Sequence, residues 1–97
     1  MEEHFIIGEK FEDQIERIRD PHRYEGNIYQ DSGDETWMFC QVGPHTFAFI
    51  CLNSGNRVFT PMEMPNTTMA GRYELLSKMS DHVSEHRLIQ IENPFHK

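Results

Sequence analysis

No stretch of this sequence is long and apolar enough to cross a bilayer, which takes about 20 consecutive apolar residues. Its longest apolar run, Phe47-Ala48-Phe49-Ile50-Cys51-Leu52, has the length of a strand. Met1-Glu2-Glu3-His4 lacks a basic n-region, and Phe5-Ile6-Ile7 is too short for a signal-peptide core. The chain is therefore expected to act in the cytoplasm, without a membrane. Cysteine is scarce, with only Cys40 and Cys51. A hairpin loop at residues 43–45 would oppose Cys40 to Ala48 and Cys51 to Trp37, leaving the two thiols out of register for a disulfide. Reduced thiols in a reducing compartment are the expectation.

Basic residues are also few: nine Lys and Arg stand against sixteen Asp and Glu, for a net charge of −7. Direct binding to a nucleic-acid backbone needs a basic footprint that this chain does not have. Motifs for catalysis are missing as well. Gly55-Asn56-Arg57 is three residues of a turn and no phosphate cradle. Ser32-Gly33 and Ser54-Gly55 lack the strand–elbow–helix context of a hydrolase nucleophile. The cysteines sit in apolar strands with no base to activate them. His82 and His86 lie at i, i+4 around Glu85, but past the expected helix end and without further ligands, so they read as solvated. The remaining histidines are scattered over turns and ends. Neither an enzyme nor a bound metal or cofactor is expected.

What is present is one foldable domain spanning residues 1–97, at 37% hydrophobic and 26% charged residues. Gly8 and Pro21 bracket a helix over about 9–19, with Phe11, Ile15 and Ile18 as its apolar stripe. A strand is expected over 24–30 and a turn at Asp31-Ser32-Gly33-Asp34. Strands follow at 37–42 and 46–52, the second apolar on both alternating faces and so covered on both. Asn53-Ser54-Gly55-Asn56 makes a turn with Gly55 at positive φ, and a return strand begins at Arg57-Val58-Phe59-Thr60. Pro61 and Pro65 should stop it. Thr67 or Thr68 caps a helix over about 69–79, with Met69, Tyr73, Leu76 and Met79 on one face. A last strand runs over 87–92. The order α-β-β-β-β-α-β predicts an α+β domain: an antiparallel meander of about four strands with a helix near each end. The uncovered strand face calls for a curled sheet, a small barrel or a second subunit, and a homodimer is the expectation.

Function is carried by charge placement. Residues 1–35 contain eleven acids and four bases, and hence the whole net charge. Glu9, Glu12, Asp13 and Glu16 on the first helix, with Asp31, Asp34 and Glu35 in the following turn, are the candidate partner-binding acids. A second reading places a nucleotide-like anion at a dimer interface against Arg57, Asn56 and Phe59.

Gly26-Asn27-Ile28-Tyr29, the strand from Trp37 to Gly43, the strand from Phe47 to Leu52, and Ser54-Gly55-Asn56-Arg57 with Pro61 together resemble small bacteriophage accessory proteins that carry a Gly-Asn-Arg hairpin turn. This resemblance implies a phage product in a bacterial cytoplasm that inhibits a host or defence protein by binding, without catalysis. The expected partner is a protein with a basic, nucleic-acid-binding surface.

Overall fold

A computed structural model describes residues 5–53, 57–59 and 61–93. Helix α1 covers Phe11–Arg17, and a 3₁₀ turn follows at Pro21–Tyr24. Strands β1 (Ile28–Gln30), β2 (Thr36–Gln41) and β3 (Thr46–Cys51) form an antiparallel meander. The short β4 (Met62–Glu63) and β5 (Ile89–Ile91) flank it, with helix α2 (Met69–Glu85) between them in sequence. The strand order is β4-β3-β2-β1-β5, every pairing is antiparallel, and the sheet is open. This is the α+β class; the sheet does not close into a barrel.

Helix α2 joins opposite edges of that sheet. Its 17 residues give a rod of about 25 Å, enough to cross five strands spaced about 4.8 Å apart. It crosses one face only. Leu75, Leu76, Met79 and Val83 pack there, with Ile15 and Ile18 from α1, against Tyr29, Trp37, Phe39, Phe47, Phe49 and Cys51. Tyr24 joins this cluster and ties it to α1, donating its hydroxyl proton to the Ile18 carbonyl at 2.7 Å.

The hairpin register is the expected one: Cys40 faces Ala48 and Cys51 faces Trp37. Both cysteines are free. Cys51 is fully buried in the core, whereas Cys40 is only half-buried, on the opposite face of the sheet.

Several boundaries differ from the expectation. The strand expected from residue 24 begins at Ile28, because Pro21 opens a 3₁₀ turn that Asp20 caps through the His22 N–H. The return strand at 57–60 reduces to a single bridge between Val58 and Ile50. Pairing resumes between the two prolines, at β4. Helix α1 is shorter than expected because Lys10 offers no side-chain cap and Ile18 is extended. Helix α2 runs six residues further than expected, since Val83 continues the stripe set by Leu75, Leu76 and Met79. Its buried face is rotated from the predicted one, with Met69 and Tyr73 exposed. The turn at 54–56, with Gly55 and Asn56, lies outside the described residues, as does Thr60.

Thr68 caps α2 by accepting from the Gly71 N–H at 3.2 Å. Asn66 folds back over this cap, accepting from the Thr68 N–H at 3.1 Å. A Cβ at position 71 would collide with both the Asn66 side-chain oxygen and its carbonyl. Helix propensity favours Ala over Gly by about 1 kcal/mol, but the displaced cap outweighs it. Gly71→Ala is expected to lose about 1–2 kcal/mol net in urea unfolding; a gain would show that the Asn66 contact yields freely.

Candidate functional site

The turn between β1 and β2 is organised by one carboxylate. Asp31 accepts from the Gly33 N–H at 2.8 Å and the Glu35 N–H at 3.0 Å, and from the Trp37 indole N–H at 3.0 Å. The indole bond is the main reason its carboxyl titrates below the usual range. Trp37 is thereby fixed at one end of an aromatic column. Phe59 stacks on it at 3.8 Å, His86 stacks on Phe59 at 4.0 Å, and His82 lies beside both, 5.6 Å from His86 and 6.0 Å from Phe59. The Arg57 guanidinium covers the Trp37 ring at 5.5 Å and pairs with Glu35. The Cys51 thiol meets the same Glu35 carboxylate at 3.5 Å.

This column lines a groove of about 460 Å³ whose rim carries Asp31, Glu35, Glu85, Arg57 and Arg87. Of the residues nominated for an anion, Arg57 and Phe59 are therefore close together. Arg57 is already engaged, and an incoming anion would have to compete with Glu35. Arg87, held at φ 54°, also lines a second groove beside Glu12, Ser80 and Ser84.

The seven nominated acids divide by what they do inside the fold. Glu9 pairs with Arg17. Glu16 receives Arg19 and, at 3.0 Å, the Tyr73 hydroxyl, which joins α1 to α2. Asp31 holds the turn and Glu35 holds Arg57. Glu12 and Asp13 stand exposed in the first turn of α1, and Asp34 is exposed at φ 63°. The helix side adds exposed Glu74, Asp81 and Glu85 from α2, which charge pattern alone did not single out.

The histidines correct the expectation that they lie beyond the helix. His82 is in the last turn of α2 and His86 is its C-cap. Both belong to the aromatic column, and the aromatic spacing along the sequence carries no sign of it. Burial, followed by the neighbouring His86 charge, holds His82 below the ordinary imidazole value. Among the described residues, no group of three or more His, Cys, Asp or Glu is arranged to hold a metal.

A third concavity, of about 270 Å³, lies between α1 and β5, lined by Phe11, Gln14, Tyr29, Val83, Leu88 and Gln90. Gln14 is 1% exposed and donates to the Gln90 side chain at 2.9 Å, but its own carbonyl oxygen has no partner.

Fold and site together define an α+β domain with a helix-covered sheet face, a second face whose strand positions in β1, β2, β3 and β5 carry no charge, and acids displayed from the helix side. No protein-family model, curated protein or solved structure matches this chain. No helix among the described residues is long and apolar enough to cross a membrane.

Two measurements check these assignments. Because folding lowers the His82 pKa, its neutral form contributes full stability above the unfolded value of about 6.5. That contribution is lost as pH falls through the depressed folded value. The melting temperature should fall from pH 7.5 to 5, and His82→Leu should flatten the slope, whereas an unchanged slope would place the penalty elsewhere. Gln14→Met removes a buried acceptor without a partner and is expected to raise unfolding stability by about 1 kcal/mol. A loss of similar size in urea unfolding would instead mean that the Gln14 oxygen holds a bound partner.

Proposed function

We propose that this protein is a non-catalytic interaction protein whose acidic helix side docks on a basic surface of a protein partner. The observation that supports this most is the sidedness of the charge. Glu12, Asp13, Glu16, Glu74, Asp81 and Glu85 are exposed on the helices, while the strand positions of the other sheet face in β1, β2, β3 and β5 hold no charge at all. Sided charge of this kind steers encounter and sets orientation more than it adds affinity. Following the resemblance of residues 26–61, the partner is a bacterial host or defence protein, and docking blocks its nucleic-acid-binding surface. Glu12 and Asp13 carry most of the contact, because Glu9, Asp31 and Glu35 are committed to internal pairs.

Reversing Glu12 and Asp13 to Lys should leave the fold intact, since exposed charges contribute little to stability. The partner is first isolated by cross-linking capture from bacterial lysate. The variant should then bind it at least tenfold more weakly, about 1.4 kcal/mol, mainly through slower association. Surface plasmon resonance at low and high salt reads both quantities, and wild-type binding should itself weaken with salt. Full, salt-insensitive binding by the variant would overturn the proposal.

A further inference from the structure

Gln14 is the only polar residue that is buried among the described residues, at 1% exposed. It follows Phe11 by three positions on α1, so the two share a helix face. Both line the concavity between α1 and β5, as does Gln90, whose register sets it beside Tyr29. The Gln14 amide nitrogen donates to the Gln90 side-chain oxygen at 2.9 Å, and the Gln14 oxygen is left without a partner. Phe11, Tyr29, Val83 and Leu88 make the wall apolar, with the Phe11 and Tyr29 rings meeting edge-on at 6.4 Å. Of the charged residues that line it, Glu9 is paired with Arg17 and Lys10 is exposed. An acceptor buried without a donor destabilises a fold, so a methionine here would serve the core better than this glutamine.

We propose that this concavity is a binding site for a small, uncharged, flat ring compound that donates one N–H to the Gln14 oxygen. Volume sets the size. An apolar cavity of about 150 Å³ holds one benzene ring, and about 270 Å³ admits two fused rings. The Phe11 and Tyr29 rings favour a flat aromatic occupant. Ligand pockets combine an apolar lining with a few placed polar groups that fix orientation, and Gln14 is such a group. A ring with an acceptor at the same place would set lone pair against lone pair. The Gln14 oxygen is closed to solvent. A ligand reaches it by shifting the half-buried Gln90 side chain, which one hydrogen bond to Gln14 holds among the described residues. Water is a poor substitute, because a buried water needs about three polar partners and most of this wall has none.

Indole is the probe, with two fused rings, no charge and one N–H. Benzofuran has the same shape with an oxygen in place of the N–H. Each is titrated into the isotope-labelled full chain and followed by amide NMR correlation spectra. Indole should shift the side-chain amide signals of Gln14 and Gln90 and the backbone signals of Phe11, Val83 and Leu88. Its dissociation constant should be about 1 mM or tighter, and the same at low and high salt because no charge takes part. That salt response separates this site from the acidic docking surface. Benzofuran should bind at least about tenfold more weakly, because it leaves the Gln14 oxygen unpaired.

Gln14→Met should bind both rings equally. Gln14→Leu repeats the comparison in case the flexible methionine refills the space. The two-probe comparison on the wild-type chain holds whether or not either variant folds. Indole that shifts no signal up to its solubility, or shifts signals elsewhere, overturns the proposal. So does equal affinity of the wild-type chain for both rings, or a folded Gln14→Met chain that keeps the preference. A slowly exchanging water in nuclear Overhauser contact with the Gln14 amide, without indole binding, would make water the partner and overturn it too.

Discussion

Helix α2 has to bridge the two edges of the sheet, and that single crossing decides which face becomes the core. Because β4 and β5 are opposite edge strands, the connection between them runs across all five strands. Only one face can be crossed by one helix. The large aromatics gather on that face, where Phe39 and Phe47 stack at 5.5 Å and Tyr29 meets Phe49 edge-on at 5.3 Å. Those aromatic contacts add to the area they bury. No described helix packs on the other face, although Ile28 and Ala48 are fully buried there.

The same crossing generates the groove. By running on to Glu85, α2 carries His82 and His86 to the place where Phe59 stacks on Trp37. Asp31 and Glu35 then hold the outer end of the column, one through the indole N–H and the other through Arg57. The Glu35–Arg57 and Trp37–Phe59 contacts each join residues 22 positions apart, and they tie residues 57–59 to the sheet. Much of the acid in the turn is therefore structural. Glu12 and Asp13, exposed in the first turn of α1, sit where the helix N-terminus favours negative charge.

Two surfaces of opposite character follow from this arrangement. One is helical and displays acids; the other is strand-built and carries no charge in β1, β2, β3 or β5.

Periodicity and punctuation in the sequence determined much of this by themselves. The two-residue alternation of 37–42 and 46–52 around Pro44 is enough to set the β2–β3 register, because side chains alternate faces strictly along a strand. The stripe Phe11–Ile15–Ile18 and the Thr68 cap are local signals, and both hold. The doubled apolarity of 46–52 told of cover on both faces, and Phe47 and Ala48, which point to opposite faces, are both fully buried. What only tertiary structure decided is everything that depends on a distant partner. Tyr24 leaves its expected strand because its hydroxyl reaches the Ile18 carbonyl. The buried side of α2 turns away from Met69 and Tyr73 because Glu16 of α1 takes the Tyr73 hydroxyl. Arg57 loses its freedom to Glu35, and two apparently solvated histidines join an aromatic stack. Sequence spacing encodes which residues share a face of one element; which faces meet is settled by packing across the whole chain.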